Sequence, residues 1–192
     1  FDVGAWEPDP GRPRQGEFAA VVHTVRSFVA LVQGDSATAA DAVGRAAAQI
    51  RTAPGESAVG VHYFHAALVA ADAVAAADTT SRRKARRAVA RGLERLRSVT
   101  IQPEEGVGGT RIALIDALDA QASSNDGRAT LHFDKAHQLA VAAGAFAEVA
   151  LSGERAARLH QRLGSSGLAG YYRENRLLKA AAARIQANVR ES

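Results

Sequence analysis

This 192-residue sequence predicts an all-α fold, an α-solenoid of about four antiparallel helix pairs behind an extended N-terminal lead-in. Three observations carry that expectation. Alanine supplies 44 of the residues, and alanine gives up no side-chain entropy in a helix. A sandwich or barrel draws instead on β-branched and aromatic residues, and aromatics make up only 5% of this chain. Apolar residues recur at spacings of three and four, and short Gly, Asp, Asn and Ser signals interrupt that spacing at intervals.

Each element follows from local signals. Residues 1–16 hold Pro8, Pro10 and Pro13, three of the five prolines, together with Gly4, Gly11 and Gly16. They predict an extended segment anchored by Phe1 and Trp6. Residues 17–190 form the helical-repeat domain. Its first helix starts at Glu17 and carries an apolar stripe of Phe18, Val21, Val22, Val25, Phe28, Val29 and Val32. Gly34-Asp35-Ser36 breaks and caps, and a second helix runs to Arg51. Residues 52–57, with Pro54-Gly55, are a loop. A third helix covers 58–77. The fourth runs from Ser81, an N-cap type, to Val99, with a stripe of Ala85, Val89, Gly92, Leu96 and Val99. Residues 100–109 are polar and glycine-rich, a loop. A fifth helix covers 110–123, a sixth 128–143 after Asn125-Asp126-Gly127, and a seventh 146–163. Gly164-Ser165-Ser166-Gly167 leads into a last helix that extends to Arg190.

The pairs repeat. Close contact between two helices needs small residues where the axes approach. The second helices carry Ala39, Val43 and Ala46, then Ala85, Val89 and Gly92, then Ala129, Phe133 and Ala136. Twelve positions before each leading alanine stand Ser27, Ala73 and Ala117, and Ala157 precedes Ala169 by the same offset. The leading alanines Ala39, Ala85, Ala129 and Ala169 thus recur at the period of a two-helix repeat. These offsets, with Gly34-Asp35 and Asn125-Asp126 as turns, resemble the tetratricopeptide repeat. The order of His62-Tyr63-Phe64-His65-Ala66-Ala67-Leu68, a basic fourth helix, Leu131-His132-Phe133-Asp134-Lys135-Ala136, Ala156-Ala157-Arg158-Leu159, Gly164 and Tyr171-Tyr172 is similar to something narrower. It resembles the tetratricopeptide-like region of signalling proteins that join a serine/threonine-kinase-like domain, an AAA-type ATPase, a GAF domain and a histidine kinase. The resemblance spans about 17–187 and implies a protein-binding role. None of the kinase, ATPase, GAF or histidine-kinase segments is present, so no catalytic residue carries over. Arg173 and Arg176 stand where large and small residues are expected, which marks the last pair as a capping unit.

Catalytic and metal patterns are sparse. Without cysteine, thiol catalysis and Cys-based metal sites are excluded. His62/His65 and Asp134/His137 sit at i, i+3, with His132 near the second pair. A di-iron bundle needs paired Glu-x-x-His and a zinc hydrolase needs His-Glu-x-x-His; neither occurs. No cofactor and no metal are expected. Gly106-Val107-Gly108-Gly109-Thr110 has some look of an anion cradle but lacks the Lys-Ser/Thr of a phosphate loop. Ser57 and Ser152 lie in no nucleophile elbow, and Glu104-Glu105 and Asp116/Asp119 are expected to be solvated.

Charge is informative. The net value is +4, from 21 Arg and 3 Lys against 20 acids. Cations concentrate in the fourth helix as Arg82, Arg83, Lys84, Arg86, Arg87, Arg91, Arg95 and Arg97, opposed only by Glu94. The plain reading is a solvated arginine face that packs its stems on neighbouring helices. The alternative is an acidic protein surface as partner, and the absence of aromatics there argues against single-stranded nucleic acid. The expected function is a non-catalytic protein-interaction scaffold, with His62, Tyr63, Arg86, Arg87, Arg91 and Arg95 on exposed faces as partner-binding residues. Methionine is absent even at position 1, which leads to an alternative expectation: a structural subunit of a larger assembly, imported into an organelle after removal of a transit peptide. No apolar run approaches the length of a membrane span, so a soluble intracellular protein is expected.

Overall fold

The computed structural model describes residues 15–33, 35–50, 56–76, 79–100 and 105–174. All regular structure among them is helical. The elements are α1 (Gln15–Gln33), α2 (Ser36–Ile50), α3 (Glu56–Ala76), α4 (Thr79–Val99), α5 (Gly106–Ala122), α6 (Asp126–Ala142), α7 (Phe146–Arg162) and the helical residues 166–174, here α8. The expected extended lead-in and its anchors Phe1 and Trp6 lie outside the described residues, except that Gln15 and Gly16 already belong to α1. The expected continuation of the last helix to Arg190 also lies outside them. No described helix is long and apolar enough to cross a membrane. The chain divides into two compact units, 1–100 and 101–192.

In the first unit α1 packs on α2 and α3 on α4, and α3 also touches α2 and α1. This is the contact pattern of two stacked hairpins. Asp35 starts α2 as expected: its carboxylate accepts from the Thr38 backbone N–H at 3.0 Å and the Thr38 hydroxyl at 2.6 Å. Those bonds satisfy an N-terminal amide and hold the carboxyl below its usual range. The buried face of α2 is Ala39, Ala42, Ala46 and Ile50.

The expected stripe on α1 is corrected by the structure. Phe18, Val21, Val25 and Val29 are exposed, while Ala19, Ala20, Val22, His23, Thr24, Ser27, Ala30 and Leu31 are buried. The buried positions of α1 are mostly small, and of its predicted stripe Val22 is buried while Val21, Val25 and Val29 are left outside. Close approach of two helices favours the small face over the more apolar one.

The second hairpin departs from the twelve-position offset. Ala73 is exposed and Ala85 half-buried. The close contact lies two turns further along α4, where a Cβ built on Gly92 stands 2.8 Å from the Ala67 Cβ and 3.5 Å from the Tyr63 carbonyl oxygen. Val89, Gly92 and Leu96 of the predicted stripe are buried, with Leu93 beside them, and Val99 is exposed. Helix α4 begins at Thr79, so Ser81 lies inside it rather than capping it.

In the second unit α5 packs on α6, α6 on α7 and α5 on α7, the same stacking order. The regularity here is high. Helices α5, α6 and α7 have 17 residues each, joined by three-residue turns. Each turn closes with the same backbone bond: Asn125 N–H to the Ala120 carbonyl at 2.9 Å, Ala145 to Ala140 at 2.9 Å, and Ser165 to His160 at 2.8 Å. This is the Schellman end, which needs one left-handed residue. Ser124, Gly144 and Gly164 fill that place with φ of 58°, 63° and 76°. Asp35 N–H to the Ala30 carbonyl, at 2.9 Å, repeats the bond after α1.

Ala129, Phe133, Ala136 and Ala140 of α6, and Ala156, Ala157 and Leu159 of α7, form the core with Ala117 of α5. Burying a side chain the size of Phe133 contributes about 1.5–3 kcal/mol. The glycine-rich loop expected at 106–109 is instead the first turn of α5. Glu105 is its extended N-cap residue, Gly109 N–H bonds the Glu105 carbonyl at 2.8 Å, and the buried Thr110 hydroxyl bonds the Gly106 carbonyl at 2.9 Å. Burial of Gly109 and Thr110 in the helix packing outweighs the low helix propensity of three glycines. Asp116, expected to be solvated, is buried as well.

Candidate functional site

The site is built on α4. Its buried stripe of Val89, Gly92, Leu93 and Leu96 seats the helix against α3, and that seating fixes which face meets solvent. All eight cations, Arg82, Arg83, Lys84, Arg86, Arg87, Arg91, Arg95 and Arg97, are on the solvent side, with Glu94 among them. The helix carries a net charge of +7 within a chain of +4, so the rest of the sequence is net negative by three. The basic character of this protein is therefore a property of one helix.

The cations divide into two groups. Arg82, Arg86 and Arg97 have interactions of their own. Arg83, Lys84, Arg87, Arg91 and Arg95 have no ion pair among the described residues. At roughly 100° per residue these five occupy one sector of about 120°, opposite the buried stripe. Four of them, Arg83, Arg87, Arg91 and Arg95, form a single i, i+4 row. Like charges at that spacing destabilise a helix by about 0.2–0.5 kcal/mol per pair. Arg83 and Lys84 thus join Arg87, Arg91 and Arg95, whereas Arg86 lies on the other flank. Counting the i, i+4 row in the sequence is the signal that finds Arg83.

His62 and Tyr63 are not part of this face. His62, expected on an exposed face, is buried at 6% exposure, and Tyr63 is half-buried. The correction follows from the packing of α3, which touches α1, α2 and α4 and so leaves few of its positions to solvent. The His62 ring lies 5.6 Å from that of Tyr63, and burial holds the imidazole below its ordinary pKa. His23, Ser27 and His65 are buried on the same two helices, with Phe28 of α1 edge-on to His65 at 5.8 Å. The Nδ1 of His62 and the hydroxyl of Ser27 have no hydrogen-bond partner among the described residues.

A second polar cluster lies in the other unit. The Tyr172 hydroxyl of α8 donates to Asp134 of α6. Its ring meets His137 edge-on at 5.3 Å and stacks on His160 of α7 at 5.6 Å. Burial first, and then the bond to Asp134, push the Tyr172 phenol above its usual range. Ser152 lies 3.4 Å from the His137 Nδ1, so serine, histidine and aspartate do come together here. Ser152 is completely buried, however, and its hydroxyl donates to the Val149 carbonyl at 3.2 Å. A nucleophile must meet a substrate, and a sealed hydroxyl held by a carbonyl does not. What the cluster does is fasten α8 to α6 and α7. Nearby, Arg111 of α5 grips Glu148 of α7 through two nitrogens at 2.9 and 2.8 Å, tying the first and third helices of the unit.

No group of three or more His, Asp or Glu side chains is arranged to hold a metal ion among the described residues. No protein-family model, curated protein or solved structure matches the chain.

Proposed function

We propose that this chain is a helical-repeat module of tetratricopeptide-like type that binds protein partners and carries no catalytic step of its own. The observation that supports this reading is the stacking order shared by the two units: each first helix pairs with the second, and the third returns to both. Such stacks bury a continuous core and leave extended helix faces open, the usual use of repeat proteins in recognition. The even spacing of the three Schellman turns in the second unit adds to it. One helix and one turn make a constant step there, and two such steps fall within the period range of two-helix repeats. In this reading the arginine face of α4 and the half-buried Tyr63 are contact residues, and His62 is a core residue.

The test is reconstitution. A protein identified by proximity labelling should form a complex of fixed stoichiometry with the purified chain. Amide exchange should slow on helix faces, leaving the turns unaffected. A purified chain that turns over a substrate, or that forms no complex with any protein so identified, overturns the reading.

A further inference from the structure

We propose that the row Arg83, Arg87, Arg91 and Arg95, flanked by Lys84, receives an acidic α-helical segment of another protein, laid along α4 with its carboxylates one helical turn apart. This rests on the reading of the chain as a protein-binding repeat and names the chemistry of the partner.

Four observations carry it. The cations are exposed and unopposed by any ion pair among the described residues, so their field is directed at solvent. Their spacing is regular: one i, i+4 step along a helix rises about 6 Å, and the row spans about 18 Å. A second helix bearing Glu or Asp at the same interval places one carboxylate at each guanidinium. Seven of the eight cations on α4 are arginine, and the guanidinium fork matches a planar carboxylate with two parallel bonds.

The fourth observation separates a protein from a nucleic acid. From Arg82 to Arg97 the helix contains only Arg, Lys, Ala, Val, Gly, Leu and Glu. Its arginines can bond carboxylates, phosphates and base edges alike, but it has no aromatic ring to stack a base. Glu94 stands within the cationic sector. A phosphodiester presents a negative charge at every step and meets Glu94 with repulsion. A protein helix can set a lysine there. Glu94 is thus the position that reads the partner, and the arginine row is the position that holds it.

The experiment uses the full chain and four probes at one ionic strength: a helical peptide with four glutamates at i, i+4 spacing and a flanking lysine, the same peptide with its sequence scrambled, a short DNA duplex, and vesicles of anionic phospholipid. Fluorescence anisotropy or, for vesicles, sedimentation reads binding. The ordered peptide should bind more tightly than every other probe. R87E/R91E should weaken it about tenfold or more, and R87Q/R91Q by less, with helix content unchanged by circular dichroism. E94Q should weaken the lysine-bearing peptide and strengthen the duplex. Tighter binding of the duplex or the vesicles, equal binding of the scrambled peptide, or indifference to R87E/R91E overturns the proposal. A reconstituted protein complex that survives R87E/R91E overturns it while leaving the protein-binding reading in place; loss of every protein complex in the unmodified chain removes that reading itself.

Discussion

Gly92 of α4 faces Ala67 of α3 so closely that a Cβ on the glycine falls 2.8 Å from the alanine methyl carbon. Because that methyl is fixed to the α3 backbone, two helices must move apart to admit one more carbon. Two effects compete in Gly92→Ala. Helix propensity favours alanine by roughly 0.5–1 kcal/mol, and overpacking of a tight interface costs about 1–3 kcal/mol. The clash is with backbone-anchored atoms and has no flexible end to yield, so it wins. Urea unfolding should show G92A to be the less stable protein, with a lower midpoint. A stabilised variant would mean that α3 and α4 are not in close contact.

The three turns of the second unit offer an internal comparison. Ser124 holds a left-handed φ of 58° that Gly144 and Gly164 match without a side chain. A non-glycine residue there costs roughly 1–2 kcal/mol, partly offset because glycine loosens the unfolded chain. Ser124→Gly should stabilise by up to about 1 kcal/mol, and Gly144→Ala should destabilise by about as much. Thermal melts of the two variants that move in the same direction would refute the argument.

Tyr172 joins α8 to Asp134 of α6 through one hydroxyl. Hydrogen bonds to charged groups contribute about 1.5–3 kcal/mol. Tyr172→Phe should therefore loosen α8 while retaining the stacking on His160. Amide exchange in 166–174 should accelerate more than in α5, and the rest of the unit should remain folded. Uniform acceleration across both helices would place the bond in the global core instead.

His62 gives the first unit a pH dependence. Burial lowers its folded pKa, whereas in the unfolded chain it titrates at about 6.5. Below that value the unfolded state binds a proton that the folded state refuses, so stability is lost as pH falls. The urea midpoint of the first unit should drop as pH is taken from above that value to below it, and the drop should shrink in His62→Gln. An equal drop in the variant would assign the effect elsewhere.

What the sequence makes legible depends on contrast. Gly34-Asp35 and Asn125-Asp126-Gly127 stand out from their surroundings: α2 starts just after Asp35 as expected, whereas α6 starts at Asp126, two residues before the expected Arg128. Ala129, Phe133 and Ala136 mix small and large residues, and all three are buried as their offsets require. Contrast fails on α1, where both faces are apolar; the larger residues look like the core, yet most of the buried positions are small, with Val22 and Leu31 beside them. It fails again at Ala73 and Ala85, since with 44 alanines an offset match survives a shift of register, and only Gly92, the rarer residue, marks the true contact. His62 misleads for a related reason: a polar residue on an apolar helix signals a surface, and only the packing of α3 against its neighbours reveals that surface to be covered. The charges on α4 are legible because all eight cations are exposed, although Arg82, Arg86 and Arg97 have interactions of their own.

The repeated Schellman turns have a consequence for assembly of the chain. Among the described helices of each unit, every contact joins neighbours or next-but-one neighbours along the sequence. Loop-closure entropy is therefore met in small steps, and low contact order favours fast folding. A hairpin emerging from the ribosome finds its packing partners already made or next in line, so synthesis and folding can proceed at the same pace, one helix at a time.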